Sequence, residues 1–447
     1  MNLSVSEIIS ILKNDIQDIS NPLPDGEINS FKIDSRKIVN NDVFIAIQGS
    51  NVDGHDYIDN ALENGACLVI TNRSHKNSSV LTVRDSVKAL GIIANYYIKK
   101  VKSKSIGITG TNGKSTVTAM IASIMQLCFK TSQTLGNYNN QIGLPLSVLT
   151  SDINTEIYVL EMGASKVGDI RDLTTIANPK TVALLNVSSA HLESFGSLEK
   201  IYQTKEEILE DQGYEKNIVL NKDDDNFPRW AKKASRHNII TISKRQESDY
   251  RLIGQSPGTL IIKTKKYGII NVDTDYHEDH MITNILFAIA CSAESGADKE
   301  SIKRGLLTFE VPNGRFTVLN GYNNSEIIDS SYNANPVSFR AAIDSLVARR
   351  HDDKWIIMGQ MGELGEDSEE HHINVVKYAE SKKINKIFLI SEHSESIKNN
   401  VKMDITIFKS KEDLIKFIAP MLKSNVSVLI KASRFMKFES IVNSLIE

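Results

Sequence analysis

The sequence predicts an α/β protein of three domains, built mostly on parallel β-sheets. Three observations lead to this prediction. The chain has 447 residues, too many to fold around one hydrophobic core. At 105–128 an apolar strand runs into a glycine-rich loop and then into a helix with apolar periodicity. Beyond 326, strands and helices alternate, which is typical of a parallel sheet covered by helices on both faces.

The composition is that of an ordinary globular protein, with 41% apolar and 24% charged residues. The formal net charge of −3 excludes a global basic field that would attract nucleic acid or anionic lipid. The cysteines Cys67, Cys128 and Cys291 are far apart, which argues against a disulfide framework or a zinc site and is typical of a reducing cytosol. No apolar run approaches the length of a membrane span. We therefore expect a cytoplasmic protein with no nucleic-acid or membrane partner. We also expect a monomer, although no feature of the sequence itself indicates the oligomeric state.

The first domain is predicted to cover 1–100. Its N-terminal stretch MNLSVSEIISILKNDIQD places acids within an apolar periodicity, which indicates an amphipathic helix and not a secretory signal. Two strands, DVFIAIQG at 42–49 and CLVI at 67–70, flank a predicted helix, DYIDNALENGA at 56–66. The lysine-rich stretch IKKVKSKS at 98–105 predicts the boundary with the next domain.

The central domain is predicted to cover 101–312. It begins with the strand SIGIT, the glycine loop and the helix KSTVTAMIASIMQLC at 114–128. Further elements are expected downstream: strands at 157–163 and 181–187, hairpin-like segments over about 217–275, and a helix at roughly 281–296. The segment VPNGRF at 311–316 predicts the second boundary.

The C-terminal domain is predicted to cover 313–447 and to be Rossmann-like. Its strands are expected at 326–331, 354–359, 386–391 and 426–432, and its helices at 338–348, 371–380 and 413–422. This alternation favours a mostly parallel sheet with helices on both faces.

The glycine loop lies in GITGTNGKSTVT at 107–118. Backbone N–H groups of such a loop point at phosphate oxygens, and the N-terminus of the following helix adds its positive end. Lys114 would reach the β- and γ-phosphates, and the hydroxyl of Ser115 or Thr116 would ligate Mg²⁺. The generic pattern GxxxxGK[ST] is missed by one place, since Ile108 stands where it requires glycine. An ordinary glycine turn is the alternative, but strand, loop, lysine and two hydroxyls in register favour phosphate binding.

Three further residues follow this loop. Glu161 ends an apolar strand, where a carboxylate can hold Mg²⁺ or can simply be solvated. His191 also follows an apolar strand, and Lys205 lies on a predicted helix where it could pair with acids of neighbouring turns. Each has an ordinary structural explanation on its own. Their order is informative, because open α/β sheets bind ligands at the carboxyl ends of their strands.

The spacing of Gly110–Ser115, Glu161–Gly163, His191 and Lys205 resembles that of the Mur ligases, ATP-dependent amide-forming enzymes of peptidoglycan precursor synthesis. The resemblance extends over nearly the whole chain. Residues 34–66 resemble the N-terminal uridine-nucleotide domain of that family. Four more segments resemble the member that adds D-alanyl-D-alanine to UDP-MurNAc-tripeptide: GNYNNQIGLPLSVL at 136–149, DSSYNANPVSFRAAI at 329–343, MGQMGELGEDSEEH at 358–371 and VLIKASR at 428–434.

The resemblance implies a set of site residues and two small ligands, ATP and Mg²⁺. The implied catalytic residues are Lys114, Lys205, His191 and Arg315. Nucleotide binding falls on Gly110, Thr111, Asn112, Gly113, Lys114, Ser115, Thr116, His280, Asn284, Arg315 and Asp329. Substrate binding falls on Ser35, Arg36, Asn139, Asn140, Tyr332, Asn333 and Asn335. Mg²⁺ would be held by Ser115, Glu161, His191 and Lys205, the last as a carbamate formed with CO₂.

The implied reaction is the activation of the tripeptide carboxylate as an acyl phosphate, followed by attack of the D-alanyl-D-alanine amine.

The sequence departs from the family pattern at four places. Met281 replaces an amide in the adenine segment, Ser330 replaces an acid, Gln360 replaces an aspartate and Ala432 replaces a glycine. Two alternatives remain at this stage. One is a sibling ligase that adds a single amino acid, and the other is a nucleotide-dependent switch without ligase chemistry.

Overall fold

The computed structural model of the protein describes residues 2–19, 23, 25–188 and 192–447. The strands named in these residues form three sheets, which follow one another along the chain. Their pairing is mostly parallel, which confirms the predicted α/β class. Within the part of the chain so described, no helix is both long and apolar enough to cross a membrane.

The first sheet has the strand order β1-β5-β4-β3-β2 and is parallel except for the edge pair β1–β5. Its strands are β1 (Ile16–Ile19), β2 (Phe31–Lys32), β3 (Asp42–Ile45), β4 (Ala66–Thr71) and β5 (Val80–Val83). Its helices are α1 (Val5–Leu12), α2 (Ile58–Glu63) and α3 (Ser86–Lys100). The helix predicted at 56–66 is shorter than expected, because a 3-10 turn at Gly54–Tyr57 precedes α2.

Helix α3 joins the first sheet to the second. Leu90, Ile93 and Tyr97 on this helix are fully buried and belong to one apolar core. That core also contains Val43 of β3 and Ile170, which lies on the helix Asp169–Ala177 between strands of the second sheet. Helix α3 ends at Lys100 and the next strand begins at Lys104, so the lysine-rich stretch forms the connection between two sheets that share a core.

The second sheet has the order β14-β13-β12-β11-β10-β9-β6-β8-β7. Its strands are β6 (Lys104–Thr109), β7 (Thr131–Gln133), β8 (Ile157–Glu161), β9 (Thr181–Leu184), β10 (Asn217–Asn221), β11 (Asn238–Ser243), β12 (Tyr250–Ser256), β13 (Thr259–Thr264) and β14 (Gly268–Asp273). Its helices are α4 (Lys114–Met125), α5 (Gly143–Leu149), α6 (Asp169–Ala177), α7 (Leu192–Phe195), α8 (Leu198–Lys205), α9 (Phe227–Lys233), α10 (Asp279–Ser295) and α11 (Lys299–Leu307).

The expectation of hairpins over 217–275 is wrong for the first half of that segment. Strands β10 and β11 pair in parallel, with α9 as the crossover between them. Asp224 accepts a hydrogen bond from the backbone N–H of Asn226, and a proline lies in the first turn of α9. These turn-type residues therefore begin a helix. Only β12, β13 and β14 form the expected antiparallel meander.

The third sheet has the order β15-β16-β20-β17-β18-β19 and is parallel except for its edge strand β15. Its strands are β15 (Thr317–Gly321), β16 (Ser325–Asp329), β17 (Asp353–Gly359), β18 (Lys386–Ile390), β19 (Ile405–Ile407) and β20 (Val426–Lys431). Its helices are α12 (Pro336–Val347), α13 (Ser368–Ser381), α14 (Ser394–Asn399), α15 (Lys411–Ile418) and α16 (Glu439–Leu445). The order brings the loops after β16, β20 and β17 side by side.

Candidate active site

The glycine loop connects β6 to α4 and has a backbone shape that other residues would not adopt. Gly113 immediately precedes α4 with φ of 87°, in the left-handed region. A Cβ atom at this position would lie 2.8 Å from Oδ1 of Asn284. The positive φ and the close approach of Asn284 both require glycine at this position. Asn284, which is predicted to bind adenine, therefore lies directly against the loop.

The segment that follows β9 stabilises this loop through hydrogen bonds. The backbone N–H of Asn112 donates to Oδ1 of Asn186 at 2.9 Å, and Nδ2 of Asn186 donates to the carbonyl of Asn112 at 3.0 Å. The backbone N–H of Ser188 donates to Oγ1 of Thr111 at 3.0 Å. Sequence reasoning missed Asn186, since an asparagine after a strand carries no signal of a reciprocal amide pair.

Lys114 is folded back over the loop. Its Nζ donates to the carbonyl of Gly110 at 2.9 Å and to that of Thr111 at 3.1 Å. Burial lowers the pKa of Lys114; nearby Arg315 lowers it further, and Glu161 opposes the shift. The lysine predicted to meet phosphate therefore lies against two main-chain carbonyls of its own loop. Thr116, two residues further along α4, is buried.

Glu161 lies opposite the loop, as the sequence predicts. Its carboxylate accepts hydrogen bonds from the Ser115 hydroxyl and, at 2.7 Å, from Nδ2 of Asn139. The backbone N–H of Glu161 donates to Oγ1 of Thr134 at 2.8 Å, which fixes the end of the strand. The side chain is 4% exposed, so the solvated-strand-end alternative does not hold. Predicted metal and substrate residues from three parts of the chain thus meet in one cluster.

Lys205 is the last residue of α8 and is only 3% exposed. It makes no hydrogen bond or ion pair with any residue that the structure describes, which excludes the solvated, paired lysine of the ordinary interpretation. Burial lowers the pKa of Lys205 to about 7, and Lys114 lowers it further, whereas Glu161, Asp169 and Glu207 oppose the shift. The ammonium form is disfavoured here, and a large fraction of the amine is neutral near pH 7.

Lys205 faces a cavity of about 320 Å³, which it shares with Gly110, Lys114, Asn139 and Asn140. Oδ1 of Asn140 also accepts a hydrogen bond from the backbone N–H of Gly143 at 2.8 Å, at the start of α5. The phosphate loop, Asn139 of the Glu161 cluster and the buried lysine therefore line one cavity.

Asp169 also lines this cavity and was not predicted from the sequence. It is 3% exposed and accepts hydrogen bonds from Nε2 of Gln141 and the backbone N–H of Ser165, both at 2.8 Å. These bonds fasten the two loops that form one wall of the cavity. The sequence did not indicate this role for Asp169, because an aspartate at the start of a helix is usually a solvent-exposed cap.

The predicted adenine residues lie at the start of α10. The His280 ring contacts Phe316 edge to face, with ring centroids 6.3 Å apart, and burial lowers the pKa of His280. Nδ2 of Asn284 donates to the thioether sulfur of Met281 at 3.8 Å. Met281, which departs from the family pattern, therefore accepts a hydrogen bond from the side-chain amide of Asn284. The other side-chain atom of that amide, Oδ1, faces Gly113.

The third sheet contributes a cationic face. The Arg315 guanidinium lies over the Tyr332 ring, with Cζ 4.1 Å from the ring centroid. Nδ2 of Asn335 donates to Oδ1 of Asn112 at 2.9 Å and so connects this face directly to the phosphate loop. Asp329 is 8% exposed and accepts from the backbone N–H and the hydroxyl of Ser331.

Lys431, at the end of β20, holds the loop that carries Tyr332. Its Nζ donates to Oγ of Ser330 at 3.0 Å and to the carbonyl of Asn333 at 2.9 Å. Burial lowers its pKa to about 7, Arg315 lowers it further, and Asp329 opposes the shift. Sequence reasoning included this lysine only within a resembling segment. Its signal was a lone charge at the end of an otherwise apolar strand.

The remaining predicted residues lie apart or outside the described chain. Ser35 is buried in a 3-10 turn, and the exposed Arg36 pairs with Asp34 at 2.8 Å. No hydrogen bond between described residues joins either of them to the phosphate loop. His191 lies outside the described residues. In the part of the chain that is described, no group of three or more His, Cys, Asp or Glu residues is arranged to hold a metal ion.

Three family models match the chain in succession. The model of the Mur ligase family catalytic domain matches residues 27–106, and that of the Mur ligase middle domain matches 108–292. The model of the Mur ligase glutamate ligase domain matches 314–434. The three matches follow the order of the three sheets.

Curated relatives match over nearly their full length. The chain is 32% identical to the UDP-N-acetylmuramoyl-tripeptide–D-alanyl-D-alanine ligase of Haemophilus influenzae over 434 residues, with 94% of each chain covered. It is 31% identical to the enzyme of the same name from Bacillus subtilis over 437 residues, covering 94% of this chain and 93% of the relative.

Solved structures agree with these matches. The MurF structure from Acinetobacter baumannii has a TM-score of 0.90 at 25% identity and covers 99% of this chain and 98% of its own. The MurF ligase of Thermotoga maritima in complex with ADP has a TM-score of 0.82 at 31% identity, covering 93% and 96% of the two chains. The chain belongs to the Mur ligase family.

Proposed function

We propose that the chain is an ATP-dependent ligase that joins D-alanyl-D-alanine to UDP-MurNAc-tripeptide in peptidoglycan precursor synthesis. The observation that carries this proposal is one cavity lined by the phosphate loop, by the buried Lys205 and by Asn139, which donates a hydrogen bond to Glu161. The names of the full-length relatives support the substrates, and the ADP complex of the Thermotoga maritima ligase supports the nucleotide.

The reaction proceeds in two steps. The tripeptide carboxylate attacks the γ-phosphorus of ATP, and ADP leaves with the electrons of the broken P–O bond. The free amine of D-alanyl-D-alanine then attacks the carbonyl carbon of the acyl phosphate. The amine loses a proton and phosphate leaves, so that an amide forms. A free carboxylate cannot acylate an amine in water because its oxygen is too poor a leaving group.

The chain's own contribution is positioning, charge and exclusion of water. Backbone N–H groups of the loop and Lys114 hold the phosphates, and Arg315 from the third sheet approaches them from the other side. Fixed donors of this kind stabilise charge as it develops on the transferred phosphoryl group. A closed cavity protects the acyl phosphate from hydrolysis.

Mg²⁺ fits the donor chemistry beside the loop. A hydroxyl and a buried carboxylate, Ser115 and Glu161, already face each other there, and hard oxygen donors are what Mg²⁺ binds. His191 and the Lys205 carbamate would complete the set. When bound, the ion would supply positive charge that neutralises phosphate oxygens.

The carbamate on Lys205 is the second element of the proposal. Neutral Nζ would attack the carbon of CO₂ and release one proton, leaving an anion at the place of an amine. Three observations support this: the side chain is 3% exposed, it has no hydrogen-bond partner among described residues, and its pKa is about 7. A neutral amine is the form that reacts with CO₂, and a carbamate supplies the oxygens that a lysine lacks.

We further propose a division of labour along the chain. Residues 1–100 bind the uridine nucleotide through Ser35 and Arg36, and 101–312 bind ATP. Residues 313–447 close over both and deliver the dipeptide, with Tyr332, Asn333 and Asn335 at the acceptor. The proposed enzyme is a cytoplasmic monomer.

A phosphate-release assay over a panel of UDP-peptides and amines tests the function. Release should require ATP, UDP-MurNAc-tripeptide and D-alanyl-D-alanine together. Preference for a single amino acid such as L-alanine, lysine or diaminopimelate would assign the chain to a sibling ligase. Hydrolysis of ATP that ignores both the peptide and the amine would favour the nucleotide switch.

A further inference from the structure

Three loops meet at the carboxyl ends of β16, β20 and β17, and Ser433 ties them together. Its backbone N–H donates to the carbonyl of Gln360 at 3.0 Å. Its hydroxyl accepts from the backbone N–H of Gly362 at 2.8 Å and donates to the carbonyl of Ala334 at 3.2 Å. Ser433 is 4% exposed, so this junction is a buried and fixed point.

Arg434 projects from this fixed point into the open. Its side chain is 60% exposed, and its Cζ lies 5.5 Å from the centroid of the Tyr332 ring. Among the described residues its one ionic partner is Glu439, at 3.2 Å through Nη1. A guanidinium has five N–H donors, so most of those on Arg434 remain available to a ligand.

The Tyr332 ring also sets the distance between Arg434 and the phosphate side of the site. Cζ of Arg315 lies 4.1 Å from the same ring centroid. The two guanidinium carbons are therefore separated by at most the sum of the two distances, 9.6 Å. An extended dipeptide spans roughly 7 Å from amine to carboxylate, whereas a single amino acid spans about half as much.

We propose that Arg434 binds the terminal carboxylate of the acceptor dipeptide. This inference rests on the proposed function, in which the acceptor amine attacks an acyl phosphate beside Arg315. With the amine there, Arg434 lies within reach of the carboxylate of an extended dipeptide. A planar guanidinium can bind a carboxylate through two parallel hydrogen bonds, and Tyr332 holds both arginines in place.

The test compares D-alanyl-D-alanine with its C-terminal amide, which keeps the amine and loses the carboxylate charge. For the wild type, kcat/KM should be roughly 10- to 100-fold lower with the amide, as expected for loss of a charge-assisted contact. For Arg434→Gln, kcat/KM with the acid should fall by a similar factor, while kcat/KM with the amide should hardly change. Arg434→Lys should lie between them, because it keeps the charge and loses the paired geometry.

Arg340→Gln is the matched control. Cζ of Arg340 also lies over a tyrosine, 5.6 Å from the Tyr378 ring centroid, but on the helix α12. This variant should discriminate between acid and amide as the wild type does. The KM values for ATP and for UDP-MurNAc-tripeptide should be unchanged in every variant.

Equal losses on acid and amide in both Arg434 variants would overturn the inference, since Arg434 would then only support the fold. Unchanged discrimination between acid and amide in Arg434→Gln would overturn it as well. Failure of the proposed function looks different, because the wild type itself would then not use D-alanyl-D-alanine in the amine panel.

Discussion

At the scale of single residues, Lys205 shows how a site can be built at the expense of stability. A buried ammonium without a hydrogen-bond partner is costly, and this one is 3% exposed with none among the described residues. Its pKa is about 7 instead of the usual 10.5. The resemblance identified the residue, but only the packed structure shows its burial.

We expect Lys205→Met to unfold less readily than the wild type and to be nearly inactive. At pH 7 and below, the wild type bears the full penalty of burying the amine. Between pH 7 and 10.5 the unfolded chain binds more protons than the folded chain, so wild-type stability rises with pH. The variant lacks this rise. Its advantage in unfolding free energy, on the order of a few kcal/mol at pH 7, should therefore disappear near pH 10.5.

Denaturant unfolding in CO₂-free, Mg²⁺-free buffer at several pH values measures this difference. Full activity of Lys205→Met would contradict the carbamate role, whatever its stability. Lys200→Met is a suitable control, since that lysine is exposed on the same helix.

Lys114 is expected to be essential for turnover. Lys114→Met should reduce turnover by on the order of a hundredfold or more, because a fixed cation is lost where charge builds up on the phosphoryl group. The fold should remain, since the lost partners are two loop carbonyls that water can reach through the cavity. Steady-state kinetics at saturating ATP and a circular dichroism melt are the measurements. Near-normal kcat would remove Lys114 from the site.

At the scale of elements, prediction succeeded where the signal is local. The strand, glycine loop and helix at 105–128 are present, because glycine conformation and apolar periodicity act within a few residues. The parallel pairing of β10 and β11 was missed, because turn residues look alike whether they close a hairpin or start a helix. Asp169 and Lys431 were missed for another reason: their partners come from distant loops, and no spacing in the sequence marks such contacts.

Two of the departures from the family pattern, Gln360 and Ser330, are explained by their hydrogen bonds to neighbouring elements. Nε2 of Gln360 donates to Oε1 of Glu392 at 2.7 Å, a contact that an aspartate at 360 would replace with repulsion. Ser330 accepts from Lys431, where an acid would have formed an ion pair. The lysine therefore has neutral hydrogen-bond partners, and burial lowers its pKa to about 7.

We expect Lys431→Met to loosen the loop 330–335 without lowering overall stability. Two hydrogen bonds to this loop are lost, but so is the cost of a buried amine. The KM for D-alanyl-D-alanine should rise by on the order of tenfold, because Tyr332 lies in the loop. Kinetics and a thermal melt check both statements. A large drop in melting temperature would show that Lys431 supports the fold and not the loop alone.

At the scale of the molecule, the three sheets are joined unequally. The first and second share one apolar core through Ile93 and Tyr97 of α3. The third has its own cores on its two faces. Its hydrogen bonds to the second sheet include Asn335 to Asn112 and, at 3.5 Å, the backbone of Glu193 to that of Glu363. We therefore expect the third sheet to move as a body over the other two when substrates bind.

Asn335 is the residue at which to test this motion, because its side chain has two separable roles. Oδ1 caps α12 by accepting from the backbone N–H of Ser338 at 2.8 Å, while Nδ2 donates to Asn112. Serine is also a good helix cap but offers no amide donor at that distance. Asn335→Ser should therefore keep the thermal stability of the wild type and lose the bridge to the phosphate loop.

The expected result is a protein that spends more time with the third sheet away from the loop. Its radius of gyration by small-angle X-ray scattering should exceed that of the wild type without nucleotide and should approach it with a non-hydrolysable ATP analogue. The KM for ATP should rise, because part of the binding energy now restores the closed arrangement. Asn400→Ala is the control, since Asn400 directly follows α14 and its Nδ2 donates to the carbonyl of Ser396 in that helix, a bond that crosses no boundary between sheets. If Asn335→Ser matches the wild type in both scattering and KM, the bridge does not hold the molecule closed, and the third sheet is retained by its other contacts, among them the backbone hydrogen bond from Glu193 to Glu363.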